Sequence, residues 1–330
     1  MTRYVVTRVL LLIPVLIGVS LVVFLALRLL PGDPVRVMLG MEASPSEMER
    51  LRHVLGLDRP MLLQYLDFLT QALRGDLGTS VRQNAPVRNV LGAALPATIE
   101  LALAALSLAL TVAIPVGIVS AVRQNSWVDH LSMVLALVGV STPLFWLGIL
   151  LILVFSLQLQ VLPPFGRGQP LLNGVGVLTT RGDSGPLLDS LKHLALPAVA
   201  LGMNAMGLVA RVTRASMLDV LGQDYVRTAR AKGLGAGGVV ARHALPNALL
   251  PVITIVGVQF GQLLGGAVIT ETIFSWPGVG RVVVQAINQR DFPLVQGSVL
   301  VLAVAFSLVN LAVDLSYAYV NPRIRFGARG

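Results

Sequence analysis

Few side chains in this sequence stand where covalent chemistry would need them. Ser184 lies in GDSGP at residues 182–186, between an aspartate and a glycine. A nucleophilic serine needs a base and an orienting carboxylate held beside it by a rigid fold, whereas Ser184 belongs to a glycine-rich stretch. The four histidines, His53, His130, His193 and His243, stand apart and lack HExxH spacing. Zinc takes three or four converging ligands, so these read as loop or interface residues and indicate no metal site. Neither Lys192 nor Lys232 is followed by serine or threonine, so the phosphate-cradling loop that ends in that pair is missing. The chain has no cysteine, which excludes disulfides, thiolate metal sites and a cysteine nucleophile. It is expected to be no enzyme and to bind no cofactor, leaving any ATP hydrolysis to another protein.

The elements that hold these residues are apolar. Of 330 residues 55% are hydrophobic and 12% charged, with a mean hydropathy of +0.79; soluble domains carry about 25% charged residues. The apolar residues gather into runs at 9–27, 101–122, 131 to about 157, 194–210, 252–270 and 294–313, each near the length needed to cross a bilayer. Backbone hydrogen bonds in lipid must be satisfied within the segment, which makes each run a helix unless a closed barrel forms. The first run holds 19 residues, longer than the core of a cleaved signal, and no small-x-small site precedes LPGDP, so it reads as a retained helix. The expectation is an all-α, polytopic membrane protein with six transmembrane helices.

The net charge is +9, and all but two of the basic residues are arginine. They are scattered between apolar runs rather than gathered on one face, which argues against nucleic acid as a partner and leaves lipid. With a cytoplasmic N-terminus, 12 basic residues fall in inner segments against five in the short outer loops, so both termini are expected inside. Three parts follow: residues 1–30 with the first helix, an extracytoplasmic segment at 31–97, and a core at 98–330. Within 31–97, Ser44 and Glu47 form a capping box with Pro45 at the first helical position and Gly56 as a stop, and a second short helix is expected from Pro60 to Leu73. The outer loop LPPFGRGQPLLNGVGVLTTRGDSGP, at 162–186, is expected to be irregular. Its GDSGP resembles the surroundings of the nucleophile in trypsin-like serine proteases, a likeness that the glycine-rich loop does not support.

One segment breaks the apolar pattern. DYVRTARAKGLGAGGVVARHALPNALLP, residues 224–251, carries Arg227, Arg230, Lys232 and Arg242. Each costs about 3 kcal/mol at a bilayer centre, so the segment cannot span and lies on the inner side. Residues 225–232 read as one or two helical turns stopped by Gly233, and residues 238–244 as a second short helix ending ahead of Pro246. Ala229 and Ala231 leave the backbone close to the surface between projecting cations, which suits docking into a protein groove. A loop basic only through the inside bias, or a patch for anionic lipid, fits the charge equally well.

Glu100, Glu271 and Asp314 fall at the ends of apolar runs and read as interfacial anchors; an ion-coupled carrier would need charges deeper in the membrane. Gly257, Gly261 and Gly265 share one helix face. Such a face admits close backbone approach, either within this chain or to a second subunit.

At residues 224–246 the sequence resembles the permease subunits of ATP-binding-cassette importers. Their cytoplasmic EAA motif reads E-A-A, three residues, G, nine residues, I, one residue, L-P. Thr228 and Ala229 fall on the paired alanines, Gly233 on the glycine and Leu245-Pro246 on the closing pair, while Arg227 and His243 replace the glutamate and isoleucine. DYVRTARAKGL, the preceding RVTRASMLDVLGQ and the later FSWPGVGR are similar to the dipeptide, oligopeptide, glutathione and nickel branch. RLLPGDP, GLDRP, LQYLDFL and GDLGTS are similar to the B-type partner in that branch.

The resemblance implies a type I importer permease (MetI-like) fold in a prokaryotic inner membrane. It implies a homologous C-type permease, two ATP-binding subunits that hold the ATP and magnesium, and an extracytoplasmic substrate-binding protein. Peptide is the first expected substrate, with nickel and glutathione as alternatives. The ATPase-coupling loop at about 214–250 would present Tyr225, Arg227, Thr228, Ala229, Ala231, Lys232, Gly233 and Leu234, closed by Leu245 and Pro246.

Overall fold

The structure, a computed structural model, describes residues 2–29, 35, 44–54 and 56–320. Helix α1 covers Thr2–Leu29, α2 Pro45–Val54 and α3 Met61–Leu73. Two-residue strands β1, Thr79–Ser80, and β2, Ala85–Pro86, pair antiparallel, an element absent from the all-α expectation. Then follow α4 Val87–Val122, α5 Trp127–Ser141, α6 Leu144–Leu151 with a π-helical continuation over Ile152–Gln158, α7 Leu171–Arg181 and α8 Gly185–Leu221. The remainder is α9 Asp224–Ala231, α10 Ala236–Val239 running through a π-helical turn at Val240–Ala244 into α11 Leu245–Ile273, then α12 Val279–Asn288 and α13 Phe292–Val320.

Among the described residues, five helices are long and apolar enough to cross a membrane: Leu10–Leu29, Val87–Val122, Gly185–Leu221, Ala236–Ile273 and Phe292–Val313. The sixth expected span is a bent pair, Trp127–Ser141 and Leu144–Gln158, meeting at 106°. Pro143 causes the break. It has no N–H to continue the ladder and steers the preceding residue out of helical geometry, and Thr142 has ψ 125°.

The stretch at 162–186, expected to be an irregular outer loop, contains α7. Its helix is bounded by Pro170 at the start and by Gly182 in the left-handed conformation at the end, and the residues between them include no proline to interrupt it. The expected short helix at 238–244 is likewise corrected: helical backbone begins at Ala236 and continues past Pro246. Proline in the first turn of a helix gives up only an N–H that has no partner there.

The chain divides into two compact units. One holds Thr2–Thr98 and Pro277–Leu308. Its core gathers Leu27, Val87, Leu91, Val279 and Leu294, among others. Ser44 and Glu47 close the expected capping box: the Ser44 N–H donates to Glu47 Oε2 at 2.9 Å and the Glu47 N–H to Ser44 Oγ at 3.3 Å. Helix α3 lies on α1 through Phe24 and Tyr65, edge to face at 5.3 Å, with the Ser20 and Tyr65 hydroxyls 2.9 Å apart. Asp291 is fully buried ahead of α13 and accepts from Ser80 Oγ at 2.5 Å and from the N–H groups of Arg82 and Leu294.

The other unit holds Ile99–Trp276 and the described residues from Val309 to Val320. Helix α8 is its centre and packs along α4, α5 and α11 by way of glycine. A Cβ on Gly202 would lie 2.7 Å from the Ala105 carbonyl oxygen, and one on Gly207 2.4 Å from that of Ala136. Only glycine permits backbones that close, the usual basis of helix association in lipid.

Candidate functional site

The basic segment folds as a small platform on the larger unit. Val226 and Ala229, 0% and 7% exposed, turn inward from α9 and meet Val239 of α10, with Leu234, Val220 and Leu221 packed around them. A neighbouring cluster of Ala121, Met217, Ala244 and Ala248 joins the ends of α4 and α8 to the start of α11. The platform thus rests on three long helices.

The end of α9 is closed by backbone geometry. The Gly233 N–H donates to the Arg230 carbonyl at 2.9 Å and the Leu234 N–H to that of Ala229 at 3.3 Å, the paired bonds of a Schellman motif, with Leu234 making its hydrophobic contact. Gly233 has φ +85°, and no atom lies within 4 Å of where its Cβ would stand. Glycine is required here by the backbone angle rather than by space.

This arrangement sorts the residues singled out in the sequence. Tyr225, Arg227, Thr228, Ala231, Lys232 and Gly233 are exposed. Tyr225 is 44% exposed, and its hydroxyl accepts from Asn247 Nδ2 of α11 at 3.2 Å. Ala229 faces inward and Leu234 is half-buried, because residues at 226 and 229 share the inner side of the short helix. Leu245 and Pro246 begin α11, Leu245 half-buried against the foot of the platform.

The glycine face of α11 divides. A Cβ on Gly257 would lie 2.0 Å from Val313 Cγ1 on α13, so this end is packed within the chain. Gly261 is buried, whereas Gly265 is exposed with nothing within 4 Å.

Among the acids, Glu100 is more than an anchor. It pairs with Arg167 and accepts the Leu171 N–H at 3.4 Å, tying the stretch at 162–186 to α4. Glu271 is fully buried, and the side chain of Asp314 lies outside the described residues. Asp183 accepts the Gly185 N–H at 2.8 Å, so GDSGP serves as the turn that starts α8, with Ser184 exposed. Among the described residues, no three histidine, cysteine, aspartate or glutamate side chains converge as metal ligands would.

Sequence reasoning missed Asp129. Its carboxylate is 1% exposed and accepts two bonds from Arg214, one from Ser120 Oγ and one from the Asn125 N–H. The available signal was S-x-x-D at Ser126 and Asp129 ahead of an apolar run, a helix-start pattern. Ser126 does cap α5, accepting the Asp129 N–H.

Midway along the same unit, a cavity of about 200 Å³ opens between α8, α11 and the bend at Thr142. Thr142, Asn204, Gln259 and Gln262 supply its polar lining, and Leu144, Leu147, Leu201 and Leu263 much of the rest.

The chain matches the family model for the binding-protein-dependent transport system inner membrane component over residues 113–326. It matches the model for the N-terminal part of that membrane component over residues 1–104. It is 49% identical to the dipeptide transport system permease protein DppB of Alkalihalophilus pseudofirmus, over 99% of this chain and 100% of that one. It is 44% identical to the protein of the same name from Escherichia coli K12, over 98% and 99%. Among solved structures it is similar to the MetNI methionine ABC transporter in an inward-facing conformation, with a TM-score of 0.55 and 15% identity over 70% of this chain and 96% of that one. At that identity the likeness speaks for the fold, a MetI-like importer permease. Matched along most of its length, this multi-pass chain belongs to the family of binding-protein-dependent transport system inner membrane components, the permease subunits of ABC importers.

Proposed function

We propose that this chain is the B-type permease of an ATP-driven importer for dipeptides or oligopeptides. It forms half of the translocation pathway beside a homologous C-type permease, receives substrate from an extracytoplasmic binding protein, and is driven by two cytoplasmic subunits that bind ATP and magnesium. Both termini and the platform at about 214–250 face the cytoplasm; residues 31–97 face the binding protein, and residues 98–330 form the permease core.

The observation that carries this reading is the exposed outer side of α9. Tyr225, Arg227, Thr228, Ala231, Lys232 and Gly233 form the docking surface, while Val226, Ala229 and Leu234 hold it to the long helices. Helices packed this closely switch between discrete arrangements rather than deforming continuously. ATP shifts their balance through its different affinity for the two states of the ATPase pair. A platform footed on α4, α8 and α11 passes that movement into the spans as a rigid body. Gly265 is open on α11, which leaves it free to meet the second permease.

Co-purification tests the assembly: the chain should carry a second permease and two ATPase subunits through affinity capture. In liposomes with the binding protein, labelled dipeptide should accumulate and stimulate ATP hydrolysis. Capture of the chain alone, or accumulation driven by an ion gradient without ATP, would contradict the reading.

A further inference from the structure

The cavity beside Thr142 has a chemistry that the docking surface does not explain. Gln259 is the middle residue of α11 and Asn204 lies within one residue of the middle of α8, so the polar lining sits at mid-span. There a primary amide without a partner is costly, since lipid and packed side chains offer nothing in place of water. Gln259 is 2% exposed, lines the cavity and makes no hydrogen bond to another described residue. Asn204 spends one N–H on the Val140 carbonyl, and Thr142 its hydroxyl proton on that of Val138. The remaining amide groups keep both donors and acceptors unspent. The amide of Gln259 opens onto the cavity beside the exposed Asn204 and Gln262, and a polar guest there would meet its donors and acceptors.

The lining also restricts what the guest is. No ionisable side chain contributes to it, so it does not select by charge. The divalent metals that prefer imidazole, thiolate or carboxylate find none of these ligands there. An amide presents one N–H face and one carbonyl face, the complement of a peptide bond, and the leucines around it tolerate varied side chains. The volume of about 200 Å³ is below the roughly 300–1,000 Å³ that encloses a whole small ligand. It suits one peptide unit rather than an entire substrate.

We propose that Thr142, Asn204, Gln259 and Gln262 form this chain's share of a site that binds the peptide backbone of the substrate in transit. The inference rests on the reading of the chain as a peptide importer permease.

The chain has no cysteine of its own, so Asn204→Cys and Gln262→Cys each place a single thiol in the cavity. In the complete importer in liposomes, with binding protein and ATP, dialanine should slow labelling of both thiols by a small methanethiosulfonate several-fold. Gln259→Met should raise the dialanine concentration for half-maximal uptake about tenfold, near the worth of one amide hydrogen bond. Equal labelling with and without dialanine, together with unchanged uptake by Gln259→Met, overturns the site while leaving the importer reading intact. Failure of the unaltered complex to take up dialanine, with binding protein loaded, overturns the importer reading and this inference with it.

Discussion

Arg214 and Asp129 form a two-pronged ion pair, with Nε–Oδ1 at 2.6 Å and Nη2–Oδ2 at 2.7 Å, that clamps the C-terminal part of α8 to the first turn of α5. Ser120 extends the clamp to the end of α4. Three helices, α4, α5 and α8, are therefore joined by one carboxylate.

Breaking this pair strands a charge. Arg214→Ala leaves Asp129, 1% exposed, with no cation, and the expected loss is about 3–5 kcal/mol. Arg214→Lys keeps the charge but loses the fork and should fall between. The double variant Asp129→Leu with Arg214→Leu should lose less than the two single losses added. Thermal unfolding of the detergent-purified chain measures this; strict additivity would contradict the coupling.

Glycines on α8 and α11 should respond by location. Gly207→Val drives a side chain into the Ala136 carbonyl, 2.4 Å from the Cβ position, and should cost at least the roughly 1–3 kcal/mol of overpacking. Gly265→Val meets open space in this chain, so its melting temperature should hardly change. Capture of the second permease should drop for Gly265→Val if that face is a subunit contact.

The turn after α9 separates backbone demand from bulk. With φ +85° and empty space around it, Gly233→Val suffers only the left-handed penalty of roughly 1–2 kcal/mol, which loosens the docking helix. Peptide-stimulated ATPase and uptake should fall together. Gly233→Asn, which tolerates that conformation, should retain most of both. Equal activity of the valine variant and the unaltered chain would remove Gly233 from the coupling scheme.

The capping box of α2 predicts a local pH response. Hydrogen bonds from the Ser44 hydroxyl and N–H hold the Glu47 carboxyl below its ordinary 4.5. A depressed folded value means that the stabilisation is present above the unfolded value and is lost as pH falls through the folded one. Hydrogen-exchange protection across 45–54, relative to the intrinsic rate at each pH, should therefore fall below about pH 4.5, and Glu47→Gln should flatten that dependence. An unchanged profile in the glutamine variant would exclude the box as its cause.

Local rules made much of this protein legible. Bilayer-length apolar runs announced five spans and the position of a sixth, since lipid leaves the backbone no alternative to a helix. Ser44, Glu47 and Pro45 announced α2, and the alanine-rich stretch before Gly233 announced α9, because capping and helix termination act within a few residues. The spacing from Thr228 to Pro246 singled out the basic segment, though charge alone left it undecided between lipid and protein.

Other features depended on which helices met. Asp129 and Arg214 are 85 positions apart, and no local pattern pairs them. Gly202 and Gly207 matter because Ala105 and Ala136 pass beside them, and Ala229 turned inward because Val239 and Leu221 were there to cover it. The sequence by itself determined which stretches are long and apolar enough to cross a membrane and where α2 starts and α9 stops, since hydration, capping and helix termination are settled within a few residues. Only the tertiary structure decided which carboxylate is clamped, which glycines are contacts and which amides line a cavity, since packing and long-range ion pairing exist only between segments that have met.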